Sequence, residues 1–114
     1  MKNMRIGYGY DMHKLTSGTY IILGGIKINS DYSIVAHSDG DILLHTLSDA
    51  IYGSLAKGDI GTHFPSDKKN LNISSLEIIK HACELLKDSN YAINNTDITI
   101  LLENPYLQPF IDKM

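Results

Sequence analysis

A chain of 114 residues, 43% hydrophobic and 20% charged, has the composition of one globular domain with a real core, not of a disordered segment. Its net charge of -3 argues against nucleic acid as a partner, and its one cysteine, Cys83, excludes an internal disulfide and suits a reducing compartment. No apolar run approaches the ~18–20 residues that span a membrane, and Met1 to Arg5 lack the apolar core of a signal peptide, so a soluble cytoplasmic protein is expected.

Arg5 to His13 alternate, with Ile6, Tyr8, Tyr10 and Met12 on one side and Gly7, Gly9, Asp11 and His13 on the other. Period two predicts a strand with one face buried. The glycine side leaves room for a ligand or another backbone, and it ends in a carboxylate and an imidazole pointing the same way. Lys14 to Thr19 is predicted as a turn. Tyr20 to Leu23 and Ile26 to Ile28 are short strands broken by Gly24-Gly25, a hairpin-like excursion that closes in the turn residues Asn29, Ser30 and Asp31.

Ala36 to His45 carries the densest chemistry in the chain. Ser38 followed by Asp41 reads as an N-cap with an acidic N3 residue, predicting a helix over 39–57. Its first N–H groups make an anion site that His37 and Ser38 face. Leu43, Leu44, Leu47, Ala50, Ile51, Ser54 and Leu55 form the predicted buried stripe, with Asp41, His45, Ser48, Asp49 and Tyr52 opposite. Gly58 suits the helix end. Asp59 to Asp67 is predicted as a loop, in which Asp59, Ile60 and Gly61 read as a helix-exit turn or as ligands for substrate hydroxyls. Ser74 and Glu77 form a capping box for a second helix to about Lys87, with Ile79, Ala82, Cys83 and Leu86 buried; Cys83 is thus expected as a buried thiol. Thr96 to Leu102 is predicted as a strand. Gln108 to Met114 resembles the first turns of a third helix, too short to stand alone, so this end reads as an interruption.

Asp11, His13 and His45 offer one carboxylate and two imidazoles, a set that holds zinc with a fourth position open. Asp41 and Asp49, one turn to either side of His45, are candidates to fix its tautomer. Bland alternatives stay open on residues alone. D-x-H is a common tripeptide, His45 can be a solvated helix residue, and His37-Ser38 an ordinary cap preceded by a loop histidine. His63 and His81 show only surface or packing roles, and Lys68-Lys69 a solvated pair.

The blocks Met4-Arg5-Ile6-Gly7-Tyr8-Gly9-Tyr10-Asp11-Met12-His13, Gly24-Gly25, Ala36-His37-Ser38-Asp39-Gly40-Asp41 with His45, and Gly58-Asp59-Ile60-Gly61 with Phe64-Pro65 run in a set order and spacing. In these the chain, from Met4 to about Met114, resembles the 2-C-methyl-D-erythritol 2,4-cyclodiphosphate synthase family, zinc enzymes of the non-mevalonate isoprenoid pathway. The resemblance implies an α+β fold, a mixed β-sheet with helices packed on one face, in a single domain over 1–114 that lacks the family's C-terminal strands. It implies Zn2+ on Asp11, His13 and His45. A second cation, Mg2+ or Mn2+, belongs to the family, with its glutamate ligand in a part past Met114.

The resemblance further implies substrate contacts from Asp11, His13, His37, Ser38, Asp59, Ile60, Gly61, Phe64, Pro65, Ser66, Asp67 and Lys68. His37 is the catalytic residue, through transition-state stabilisation. The cytidine pocket is expected from a neighbour's Leu102, Glu103, Asn104, Pro105, Tyr106, Leu107 and Gln108, in a homotrimer with sites at subunit boundaries. The implied reaction closes a ring in a small-molecule cytidine diphosphate substrate: its own 2-phosphate attacks the β-phosphorus and expels CMP, so the protein contributes positioning and charge stabilisation. Two positions depart from the family pattern. Tyr106 stands where a lysine is usual, and Ser66 where an acidic residue is expected, with Asp67 one place later. Two other functions are compatible with the same ligands: a non-catalytic homologue that keeps zinc and ligand binding, and a zinc phosphohydrolase. The hydrolase needs a general base, and Asp41, though near, is committed to the helix start or to His45.

Overall fold

The computed structural model describes residues 3–114. Four short strands, β1 (Leu15–Ser17), β2 (Tyr20–Leu23), β3 (Ile26–Asn29) and β4 (Tyr32–Ile34), precede the helices α1 (Ile42–Ser54), α2 (Ile60–His63) and α3 (Ser75–Asp88). Two 3-10 turns, Lys68–Asn70 and Gln108–Lys113, complete the regular structure. β2 and β3 pair antiparallel in the register Tyr20 to Asn29 and Leu23 to Ile26. The hairpin turns on Gly24 and Gly25, both at positive φ (60° and 80°), the geometry a two-residue hairpin loop demands and glycine supplies without strain. β1 pairs antiparallel with β4, Leu15 opposite Ile34, so the turn predicted over Lys14 to Thr19 is in part a strand.

α1 is covered on two sides, which explains why a single apolar stripe misjudged it. Ile51, Tyr52 and Leu55 pack with Ala82 of α3, while Ile42 and Leu43 pack against Ile21, Leu23 and Ile28 of the hairpin. His45, Ser48 and Tyr52, predicted to face away from the core, are buried, His45 and Tyr52 against Ser75 and His81 of α3. The Tyr52 hydroxyl shares a hydrogen bond of 2.7 Å with His81 Nδ1, and burial pushes the phenol up to about 12, so it keeps its proton. His63 stacks on the same ring at 4.4 Å. Cys83, expected as buried, lies on the exposed side of α3, with enough cover to push its thiol pKa up. Ile78 takes the buried place instead. No helix among the described residues is long and apolar enough to cross a membrane.

The mixed sheet expected from the sequence is not formed among the described residues. Residues 3–14 and 96–103 run without ladder partners, and the sheets present are two-stranded. A cavity of about 360 Å³ lies between them, lined by Gly9 to His13 on one side and Ile98 to Glu103 on the other. Alternation persists in the first segment, but the faces are reversed from expectation. Ile6 is 85% exposed and Tyr8, Tyr10 and Met12 are exposed with it, while the glycine, aspartate and histidine side lies inward. Gly7 and Gly9 set this orientation. A Cβ at Gly7 would stand 1.9 Å from the Ala50 carbonyl oxygen, and at Gly9 2.1 Å from that of Thr46, so the approaching backbone is α1 itself.

Gly9→Ala is therefore expected to lift the segment off α1 and cost about 1–3 kcal/mol in urea unfolding. Gly53→Ala, in the same helix with nothing within 4 Å of the new methyl, should instead gain roughly 0.5–1 kcal/mol.

Candidate metal centre

α1 begins three residues later than its sequence signal. Asp41, not Ser38, is the N-cap: its Oδ1 accepts from Leu44 N–H at 3.1 Å. The same carboxylate accepts from Gly24 N–H (3.0 Å) and Gly25 N–H (2.7 Å), clamping the hairpin turn to the helix start. Asp49, the other predicted partner of His45, accepts instead from Ile60 N–H at 2.9 Å and anchors α2; burial pushes its carboxyl pKa up. Neither carboxylate fixes His45. With Asp41 buried under three backbone donors, the general base that a phosphohydrolase would need is also missing from that position.

The first segment delivers Asp11 and His13 to His45. Asp11 Oδ2 lies 3.3 Å from His13 Nδ1 and 3.5 Å from His45 Nδ1, and one donor atom from each residue falls within 4.8 Å of the others. The two rings stand 5.3 Å apart, tilted by 48°. His13 Nδ1 is buried and makes no hydrogen bond. An orphaned buried nitrogen is costly, and here it points into a group of one carboxylate and two imidazoles. A divalent cation would satisfy it, so the residues fit a metal.

Burial, and next the neighbouring His13, push the pKa of His45 down, against the opposing pull of Asp11 and Asp39. The neutral ring is the ligating form. Between that lowered value and the ordinary 6.5, the unfolded chain binds more protons than the folded one, so stability rises with pH across this window and falls as pH drops through it. Melts of the chelator-treated protein are expected to lose stability below about pH 6.5, and His45→Gln to flatten that dependence.

On the far side of the ring, His45 Nε2 lies 2.8 Å from Ser75 Oγ and 3.0 Å from Ser38 Oγ. Ser75 in turn bonds Asp39. Sequence reasoning missed Ser75 and Asp39 as partners of His45. Ser75 stands 30 positions away and reads only as a residue beside a cap.

The remaining predicted residues lie on other segments, held by local hydrogen bonds. His37 Nε2–H donates to the Asp67 carbonyl at 2.7 Å, and the His37 carbonyl accepts from Asn72 N–H, tying the start of the α1 approach to the 67–72 segment. Asp59 opens α2 as its N-cap, accepting from Thr62 N–H and Thr62 Oγ–H, which hold its carboxyl pKa down. The predicted loop over 59–67 therefore contains a helix. Asp67 caps the following 3-10 turn through Asn70 N–H, and Asn70 Nδ2 donates to the Pro65 carbonyl, so Phe64 to Lys68 sit in a closed loop. Leu102 and Leu107 pack against the hairpin core, leaving Tyr106 exposed. Asn104, Pro105 and Tyr106 edge an open cavity of about 750 Å³ shared with Asn29 to Tyr32.

Residues 4–114 match the profile of the YgbB family. A 2-C-methyl-D-erythritol 2,4-cyclodiphosphate synthase from Clostridium kluyveri is 48% identical over 112 residues, 97% of this chain and 68% of that protein. The synthase of the same name from Ectopseudomonas mendocina is 46% identical, over 97% of this chain and 71% of its own. Among solved structures, a 2C-methyl-D-erythritol-2,4-cyclodiphosphate synthase bound to CDP superposes with a TM-score of 0.89 at 34% identity, covering 96% of this chain and 73% of that one. IspF of Plasmodium falciparum, in a CDP complex, gives 0.80 at 37% identity, covering 96% and 67%. By its sequence over nearly its whole length and by its α+β fold, the chain belongs to the YgbB family of 2-C-methyl-D-erythritol 2,4-cyclodiphosphate synthases.

Proposed function

We propose that this chain forms, as one domain, the metal-holding part of a site that converts 4-diphosphocytidyl-2-C-methyl-D-erythritol 2-phosphate to 2-C-methyl-D-erythritol 2,4-cyclodiphosphate and CMP, for isoprenoid precursor biosynthesis in the cytoplasm. The observation that carries this reading is the convergence of Asp11, His13 and His45 around an unsatisfied His13 Nδ1. Asp11, His13 and His45 hold Zn2+, which when bound supplies Lewis-acid polarisation of a phosphate oxygen.

In the reaction, an oxygen of the 2-phosphate forms a bond to the β-phosphorus. The bond from that phosphorus to the oxygen bridging to the cytidine phosphate breaks, and CMP leaves with the electron pair. The substrate is its own nucleophile, so the chain's residues serve as positioners. Ser38 accepts from Gly40 N–H, and its own hydroxyl proton is available to a phosphate oxygen. His37 commits Nε2–H to the Asp67 carbonyl, so it is the protonated ring that has an Nδ1–H to offer charge developing on phosphate. Asp59, Ile60 and Gly61, with Phe64 to Lys68, hold the methylerythritol hydroxyls. Leu102 to Gln108 cover cytidine of a neighbouring subunit in a homotrimer, with Tyr106 offering a ring face where relatives carry a lysine. A second cation, Mg2+ or Mn2+, would supply charge neutralisation to the diphosphate when bound.

The test is direct. The zinc-loaded protein, given the cytidine diphosphate substrate and Mg2+, should produce a cyclic diphosphate and CMP in equal amounts by 31P NMR. Release of inorganic phosphate in place of the cyclic product would favour a hydrolase.

A further inference from the structure

We infer that Ser75 is a positioning residue that ties His45 to Asp39 and thereby sets which ring nitrogen of His45 faces the metal cluster. His45 Nδ1 points to Asp11, and Nε2 lies 2.8 Å from Ser75 Oγ. Ser75 Oγ makes a hydrogen bond to Asp39 Oδ1. The direction of each bond follows from counting donors. The Asp39 carboxylate accepts from Asp41 N–H on Oδ1 and from Ser75 N–H on Oδ2, and since a carboxylate only accepts, the Ser75 hydroxyl proton lies in the bond to Asp39. With its proton spent, Ser75 Oγ has only lone pairs to offer, and His45 Nε2 must carry the N–H that meets them. Nδ1 is left with its lone pair, aimed at the cluster.

Ser75 is suited to this task because nothing about it is free to turn. It is fully buried at the first turn of α3, and both its N–H and its hydroxyl are engaged by Asp39. Ser38 also reaches His45 Nε2, at 3.0 Å, but lies on the half-buried approach to α1. The fixed partner is therefore the serine from the distant helix. A ligand imidazole whose other nitrogen donates to an anchored acceptor is held in tautomer and in rotation, and losing such a partner lowers metal affinity by about 10–100-fold.

The inference rests on the metal reading above, so its test has an arm that needs no metal. In the metal-free full chain, 15N NMR of the His45 ring should show the Nε2–H tautomer. Ser75→Ala should turn it into a mixture, and Ser75→Thr, which keeps the hydroxyl, should restore it. Zinc affinity by chelator competition should fall about 10–100-fold in Ser75→Ala and recover in Ser75→Thr. Asp39→Asn should weaken zinc in the same direction, and adding it to Ser75→Ala should cost nothing more, because the two act in one chain of bonds. An unaltered tautomer in Ser75→Ala, failure of threonine to rescue, or additive losses in the double variant would each overturn the relay. A wild-type protein that takes up no zinc overturns the metal reading, and the tautomer arm then decides the relay by itself.

Discussion

His45→Ala is expected to strip the protein of stoichiometric zinc. Structural zinc sites are worth roughly 10–16 kcal/mol across four ligands, so one imidazole carries about 3 kcal/mol, a loss on the order of 100-fold or more in affinity. The change is not expected to unfold the chain. His45 is held neutral by burial, and the groups it leaves behind keep partners: Ser75 still has Asp39, and Ser38 still has Gly40 N–H. Zinc-to-protein ratio after desalting, measured beside a melt of the metal-free form, separates the two effects. One zinc per chain in His45→Ala would show that the cluster is not the site.

His13→Ala gives the sharper contrast. In the metal-free protein His13 Nδ1 is buried without a hydrogen bond, a cost of about 1–3 kcal/mol. Removing the ring should abolish zinc binding yet leave the metal-free fold no less stable than wild type. Such opposite responses are the mark of a group kept for its ligand at the expense of the fold.

How far the site could be read from residues alone depends on the range of each signal. Asp11, His13 and His45 were legible because a carboxylate and two imidazoles are a ligand set wherever they meet, and period two put Asp11 and His13 on one side. The hairpin was legible in Gly24-Gly25, and α3 in Ser74 and Glu77, because turn and cap chemistry act over four residues or fewer. What alternation cannot say is which side is inward. Ile6, Tyr8, Tyr10 and Met12 form the more apolar face, yet Gly7 and Gly9 let α1 approach the other one. The same limit hid the burial of Ser48 and Tyr52. A helix packed on two sides needs small or hydrogen-bonding residues where its neighbour is close, and polarity then ceases to mark the surface. Ser75 and Asp39 were out of reach for a third reason: their bond to His45 joins elements that only the assembled fold brings together.

Asp41→Ala should have the largest effect on stability of any single side-chain truncation considered, although Asp41 touches no ligand. Its carboxylate is 0% exposed and accepts from three backbone N–H groups, those of Gly24, Gly25 and Leu44. The first two belong to a turn whose positive φ values leave it no helical or ladder partner there. The third is the start of α1, where loss of an N-cap alone costs about 1 kcal/mol. With the two turn donors left unpaired at about 1–3 kcal/mol each and the cap lost besides, the total comes to roughly 3–7 kcal/mol, a large share of the ~5–15 kcal/mol that holds a domain together. Asp41→Asn should cost about 1–2 kcal/mol, because its amide oxygen can serve Leu44 and Gly24 while its NH2 faces the Gly25 N–H, one donor against another. Urea unfolding of the metal-free chain measures both. A loss below about 1 kcal/mol in Asp41→Ala would mean that water enters and takes over the three donors. Zinc then distinguishes this variant from His45→Ala. The metal binds only the folded chain, so added zinc should win back stability in Asp41→Ala by mass action and do nothing for His45→Ala, placing one aspartate in the frame and the histidine one turn later in the site.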